Sequence, residues 1–292
     1  MGNRSSKRTS KDYKNQQVVQ KVQGPAIQQV TKNYNLINDN FTSYNELEHG
    51  LRKVGLESCQ LIVGVDFTKS NTWNGGSPYY IDVNLHSTAH FPNPYQQVLS
   101  IMCQTLAPFD DDGIIPAYGF GDHRTKDKSV FPFLFDNNGR DMHCIKLDGI
   151  YNAYNRIIQD FANGILQMSG PTTFAPLIYK AIDLVKNVRE YHILLIICDG
   201  QVDNITETTN AIVEASKHPL SIVCIGVGKG PWDKMETFDD DIPTRDFDNF
   251  QFVNFHEIMN GLYENKEIEF AKRALMEIPD QYEYIKKNIL MK

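Results

Sequence analysis

The sequence predicts an α/β fold: a doubly wound, mostly parallel sheet of six strands flanked by helices, with one short antiparallel strand at its edge. Three observations point there. Residues 61–65, Leu-Ile-Val-Gly-Val, run without polar alternation, as in a strand covered on both faces, and stop at Asp66-Phe67-Thr68-Lys69-Ser70. A second such run, residues 192–198, ends in Asp199-Gly200. Around them, helical and extended patterns alternate in the order of a sheet wound in both directions.

Length and composition fit that reading. At 292 residues and 41% hydrophobic, the chain can build one large α/β domain (residues 41–292) behind a tail (residues 1–40). A net charge of -7 argues against a general nucleic-acid binder, which would be basic. No apolar run approaches the roughly 18 residues of a membrane span. The five cysteines are odd in number, scattered and mostly inside expected strands and helices, which reads as buried free thiols in a reducing compartment. No C-x-x-C pair exists to build a zinc cross-brace within this chain.

The tail is rich in Lys, Arg, Gln, Asn, Ser and Thr and too poor in apolar groups for a core, so disorder is expected over about residues 1–32. Its start, Met1-Gly2-Asn3-Arg4-Ser5-Ser6, matches the acceptor pattern for N-myristoylation of Gly2. Arg4, Lys7, Arg8, Lys11, Lys14 and Lys21 follow against the single acid Asp12. One acyl chain holds a protein on a bilayer only marginally, and a basic stretch facing anionic lipid is the second signal that stable attachment needs.

The elements follow in order. Ser43-Tyr44-Asn45-Glu46 has capping-box spacing, and Tyr44, Leu47, Leu51 and Val54 continue at helical period to a stop at Gly55. After the first strand, residues 71–93 are irregular and too long for a plain connection. Residues 94–106 read as a helix and 114–120 as a second strand, entered through the acidic turn Asp110-Asp111-Asp112-Gly113. Residues 130–135 form a short strand whose Pro132 suits an edge. Helices are expected at 149–161, 175–188, 204–218 and 232–238, and strands at 192–198, 221–226 and 250–254. From residue 255 onward the pattern is helical, broken at Pro279.

If the strands ending in Asp66 and Asp199 are neighbours, two carboxylates and the hydroxyls of Thr68 and Ser70 meet at the carboxyl edge of the sheet, where open α/β sheets place ligands. The loop Ser169-Gly170-Pro171-Thr172 adds a third hydroxyl. Such oxygens suit a hard divalent cation better than a nucleophile. Other candidates are weaker. Asp110 to Asp112 and Asp239 to Asp241 lack the alternate spacing of a calcium loop and read as solvated turns. Gly226-Val227-Gly228-Lys229-Gly230 lacks the phosphate-loop pattern and reads as a turn. Tyr118-Gly119-Phe120-Gly121 reads as backbone packing near the metal edge, with Asp122 within reach of solvent. The histidines show no ligand pairing, and His123 and His192 read as surface or strand-end residues.

The D-x-T-x-S loop, the Thr of a glycine-led second loop and the Asp-Gly after a hydrophobic strand occur here in order. Together they resemble the metal-ion-dependent adhesion site of the von Willebrand factor A fold. Asn93-Pro94-Tyr95, Pro116-Ala117-Tyr118-Gly119-Phe120-Gly121, Asp199-Gly200-Gln201 and Glu277-Ile278-Pro279-Asp280-Gln281 narrow the resemblance to the copine-type A domain, most like that of plant RING ubiquitin ligases, which also begin with an acylatable Gly2. It covers residues 43–281. The tandem calcium-and-phospholipid-binding modules of copines and the RING of the ligases are not in this sequence.

The resemblance implies that Thr68 and Ser70 coordinate directly, that Thr172 does so directly or through water, and that Asp66 and Asp199 act through water. The ion would be Mg²⁺, with Mn²⁺ or Ca²⁺ as alternatives, and its open position would take an acidic side chain from a protein partner. The expected function is a metal-dependent interaction module, cytoplasmic and peripheral to the plasma membrane or endomembranes, with a nuclear pool as a further option. A subunit of a ubiquitin-ligase system is the alternative. Metal-dependent hydrolysis is disfavoured because no Glu, His or Lys is tied by sequence to the cluster as a general base, and a dehydrogenase is excluded because no G-x-G-x-x-G follows the first strand.

Overall fold

The structure, a computed structural model, describes residues 41–74, 84–89, 91–200, 202–240, 242 and 245–291. The tail, with Gly2 and its flanking cations, lies outside these residues, as does most of the irregular stretch after Asn74. In chain order come α1 (Tyr44–Lys53), β1 (Gln60–Asp66), α2 (Pro94–Leu106), β2 (Ile114–Ile115), β3 (Ala117–Phe120), β4 (Phe131–Pro132), β5 (Leu134–Phe135), β6 (Asp141–Met142), β7 (Cys144–Ile145) and α3 (Lys146–Ala162). Then follow α4 (Ala175–Val185), β8 (His192–Cys198), α5 (Ile205–Ala215), β9 (Leu220–Gly226), α6 (Asp233–Asp240), β10 (Phe250–Asn254), α7 (Phe255–Asn260), α8 (Lys266–Leu275) and α9 (Ile278–Ile285).

The six-stranded sheet has the order β10-β9-β8-β1-β3-β4, parallel throughout except for β4, which pairs antiparallel with β3 at the edge. This is the fold class that the sequence predicts. Side chains on alternate positions feed two layers. Leu61, Val63 and Val65 of β1, with Ile193, Leu195 and Ile197 of β8, pack with α1, α2, α3, α8 and α9. Ile62, Leu194, Ile196 and Ile222 pack with α4, α5 and α6. Each fully buried aliphatic side chain contributes about 1.5–3 kcal/mol, which is why the central strands carry no polar alternation. All five cysteines are buried and free.

Some elements depart from expectation. The segment 114–120 is two strands, because Pro116 interrupts it: Ile114–Ile115 turns away to pair with Cys144–Ile145, and only Ala117–Phe120 joins the main sheet. The 130–135 strand divides likewise, with Phe131–Pro132 on β3 and Leu134–Phe135 on Asp141–Met142. Ser43 caps α1 by accepting from the Glu46 N–H at 3.3 Å, but the Glu46 carboxylate turns to the Thr42 N–H and hydroxyl, at 2.7 and 2.9 Å, so the capping box is not reciprocal. Pro279 opens α9 in its first turn, where a missing N–H costs nothing, and the helical break falls just before it. Asp122 is fully buried, held by Arg124 Nε at 2.9 Å and the Thr125 N–H at 2.8 Å, and does not meet solvent as expected.

Candidate metal centre

β1 lies between β3 and β8, so the winding of the chain reverses at β1, and its carboxyl end is the point at which open α/β sheets place their ligands. Asp66 closes β1 and Asp199 follows β8; the two strands pair in register through Val65 and Ile197. Both acids therefore reach the same rim.

The polar atoms there form a connected set. The Thr68 N–H donates to Asp66 Oδ1 at 2.7 Å, the Thr68 and Ser70 hydroxyl oxygens are 2.9 Å apart, and Ser70 Oγ donates to Asp199 Oδ1 at 2.9 Å. With the Ser70 proton directed at Asp199, the Thr68 hydroxyl is the donor to Ser70. Both oxygens keep lone pairs for a further partner. Asp66 is fully buried, Asp199 nearly so, and Asp66 Oδ2 receives no hydrogen bond. Burial, then the charge of Asp199, pushes the Asp66 carboxyl well above the usual carboxylate range, against the hydrogen bonds from Thr68. Burial also raises Asp199, opposed by hydrogen bonds from Ser70 and Asn74.

Thr172 enters from the loop after residue 168. Lys69 N–H donates to the Ser169 carbonyl at 2.6 Å, which sets that loop beside Thr68. The Thr172 N–H donates to Asp203 Oδ2 at 2.7 Å, and the Asp203 N–H returns to the Thr172 carbonyl at 2.8 Å. Thr172 is thus tied to the segment after Asp199 through its backbone. Asp66, Thr68, Ser70 and Asp199 are joined directly through hydrogen bonds, and Thr172 is brought alongside.

Two features that hold this rim carry no signal in sequence spacing. Behind the loop, Asn71 Nδ2 donates to the carbonyls of Asp66 and Thr68 at 3.3 and 3.1 Å, and its own oxygen accepts from the Tyr95 hydroxyl at 2.6 Å. His86 Nε2 lies 2.9 Å from the Asp66 carbonyl and Nδ1 lies 2.7 Å from the Tyr154 hydroxyl. A carbonyl can only accept, so Nε2 carries the proton and Nδ1 accepts from Tyr154. The second feature is a wall formed by the loop after β9. Asn74 Nδ2 donates to the Asp199 carbonyl and, at 3.4 Å, to the Gly230 carbonyl, while a Cβ at Gly228 would stand 2.6 Å from the Asp199 carbonyl oxygen. Gly121, at φ +81°, packs where a Cβ would meet the Thr68 methyl at 2.2 Å.

The donor set is all hard oxygen: two carboxyls and neighbouring hydroxyls. Among the described residues, no group of three or more His, Cys, Asp or Glu side chains is gathered for a metal ion, so a cation here relies on hydroxyls to complete its shell. An unsatisfied, sealed carboxyl oxygen beside a second buried acid fits such a cation on charge and on chemistry.

The copine family profile matches residues 84–292. The chain is 47% identical over 266 residues to the E3 ubiquitin-protein ligase RGLG2 of Arabidopsis thaliana, covering 86% of this chain and 55% of that protein. It is 47% identical over 247 residues to copine family protein 1 of Caenorhabditis elegans, covering 84% of this chain and 21% of that one. The chain thus spans about half, or less, of the length of these relatives. Among solved structures, proximal thread matrix protein 1 from the mussel byssus, with a zinc-occupied MIDAS motif, aligns at a TM-score of 0.44 and 14% identity over 76% of this chain and 47% of that chain. Manganese-loaded Plasmodium vivax TRAP protein aligns at 0.42 and 10% identity over 69% and 70%.

Proposed function

The chain belongs to the copine family, and from that premise we propose that it is a divalent-metal-dependent protein-interaction module whose ion is held by Asp66, Thr68, Ser70, Thr172 and Asp199. The sealed carboxyl pair carries this reading. Asp66 Oδ2 is buried without a hydrogen bond beside Asp199, an arrangement that costs free energy unless a proton or a cation occupies the space. All-oxygen donors suit Mg²⁺, with Mn²⁺ or Ca²⁺ as alternatives.

The division of labour follows from the local geometry. Thr68 and Ser70 present hydroxyl lone pairs, Asp66 and Asp199 set the charge, and Asn71 and His86 fix the carbonyls that shape the loop. When bound, a divalent ion held partly by neutral hydroxyls supplies uncompensated positive charge and an exchangeable position for the carboxylate of a protein partner. Titration calorimetry with Mg²⁺ tests the assignment. The wild type is expected to bind, and Asp66→Ala and Asp199→Ala to lose binding while keeping a native far-UV spectrum. Undiminished binding in both variants refutes it.

The same proposal tethers the module to cytoplasmic membrane surfaces, for signalling or trafficking, through acylated Gly2 and the cations Arg4, Lys7, Arg8, Lys11 and Lys14. Mass spectrometry of the native N-terminus and sedimentation with anionic vesicles test it; an unmodified N-terminus that stays in the supernatant removes the tether. A second reading rests on relatives named as ubiquitin-protein ligases: the chain works in a ubiquitin-ligase system. Autoubiquitination by the purified protein with activating and conjugating enzymes would favour that reading.

A further inference from the structure

Beside the metal loop lies a groove of about 520 Å³, bounded by Lys69 and Thr72, by residues 84–88 and by the C-terminal end of α3 with the segment that follows it. Ile158, Phe161, Leu166 and Met168 give it an apolar lining. Lys69 is the single formally charged residue among its described lining residues, is exposed, and makes no ion pair among the described residues. His86, which also lines it, is buried and held neutral by desolvation.

The groove and the metal loop share structure. Phe67, between Asp66 and Thr68, stacks on His86 at 4.8 Å and on Phe161 at 5.0 Å, and both of those rings line the groove. Its lining is electrically uneven. Lys69, which adjoins Thr68 and Ser70 in the chain, carries its one formal charge among the described lining residues, whereas Phe161, Ala162 and Leu166, at and after the C-terminus of α3, are apolar. An anionic group belongs beside Lys69 and an apolar one beside Phe161, Ala162 and Leu166.

Resting on the metal reading above, we propose that this groove receives the stretch of a protein partner that flanks its metal-seeking carboxylate. It selects segments in which Asp or Glu is accompanied, a few residues away, by a large aliphatic or aromatic side chain. The ion and Lys69 take the acid; the α3 end takes the apolar group. Trp73, 59% exposed and adjacent in sequence to groove-lining Thr72, supplies the kind of large, stiff side chain that dominates protein interfaces.

The test uses the full chain and synthetic capped peptides carrying one Asp and one Leu, joined by glycine-serine spacers of increasing length, with Leu→Ser and Asp→Asn controls. Binding is read by fluorescence anisotropy in Mg²⁺ and in chelator. At the best spacer the Asp-Leu peptide is expected to bind about ten- to hundredfold tighter than its Leu→Ser control, the gain from burying one Leu side chain, and to lose binding in chelator or as the Asn control. Ala162→Trp, at an exposed position on the groove, is expected to abolish the Leu preference and leave the Mg²⁺ isotherm unchanged. Equal affinity for Leu and Ser peptides, or a Leu preference that survives Ala162→Trp, overturns the groove while a normal Mg²⁺ isotherm leaves the metal reading intact. Absence of Mg²⁺ binding in the wild type overturns the metal reading itself and this inference with it.

Discussion

His86 stays neutral in the folded protein because it is buried, stacked between Phe67 and Tyr95, and burial pushes its imidazole down to about 3 from an ordinary 6.5. Between those values the unfolded chain binds a proton that the native state refuses. Stability is therefore full above about 6.5 and is lost as pH falls toward 3, by up to a few kcal/mol. Urea unfolding of the Mg²⁺-loaded protein from pH 7 to 4.5 is expected to show this loss, and His86→Gln to flatten it relative to wild type; parallel pH profiles would remove His86 from the account. At this scale, sequence is informative where chemistry clusters along the chain. Asp66, Thr68 and Ser70 sit within five residues, and Asp199 ends an unmistakable strand. His86 and Tyr154 are opaque because they come from an irregular segment and a helix, and only the fold brings His86 to the Asp66 carbonyl and Tyr154 to His86. Asn93 and Tyr95 stand out along the chain only through the Asn93-Pro94-Tyr95 resemblance, which does not say that Tyr95 reaches Asn71 or that Asn93 reaches Tyr154. Asp122 escapes a sequence reading because a carboxylate satisfied by its own turn looks, along the chain, like a solvated one.

At the scale of elements, the contact between β1 and α4 fixes where the rim stands. Gly64 lies against Leu177: a Cβ there would come 2.1 Å from a Leu177 methyl, and Leu177 is fully buried. Gly64→Ala is expected to cost about 1–3 kcal/mol by overpacking, and Leu177→Ala about 2–5 kcal/mol by leaving a cavity. Because each change relieves the other, the double variant should lose less than the sum of the two, a coupling that chemical denaturation of all four proteins measures. Additive losses would mean that α4 shifts away from the sheet. The central strands are legible because burial on both faces demands an unbroken apolar run. The edge is less so. A proline inside an extended pattern marks an interruption without saying where the freed residues go, and both 114–120 and 130–135 divide at or beside a proline to pair with short ribbons of their own.

On the scale of the whole described domain, the rim buries two acids whose charges oppose folding, a cost that the proposed cation would offset. Asp66 and Asp199 both titrate above the ordinary 3.8, so the native state holds a proton there more tightly than the unfolded chain does. That contribution is fully present below about 4 and is lost as pH rises through the raised native values, opposite in sign to the effect of His86. On the metal reading proposed above, a cation replaces the missing proton. At a hundred times its dissociation constant it adds about 2.7 kcal/mol, which for a domain of this size raises the melting temperature by about 5–10 °C. Thermal melts at pH 8 should therefore rise with Mg²⁺, and the increment should shrink at pH 5.5, where protons compete for the same oxygens. Asp199→Asn separates the two roles. It removes the repulsion, so the metal-free melting temperature at pH 8 should exceed that of the wild type, and it removes the charge, so Mg²⁺ should no longer raise it. A wild-type melting temperature at pH 8 that ignores Mg²⁺, or an Asp199→Asn protein that responds to the ion as the wild type does, would leave the buried acid pair without the counter-ion its burial demands.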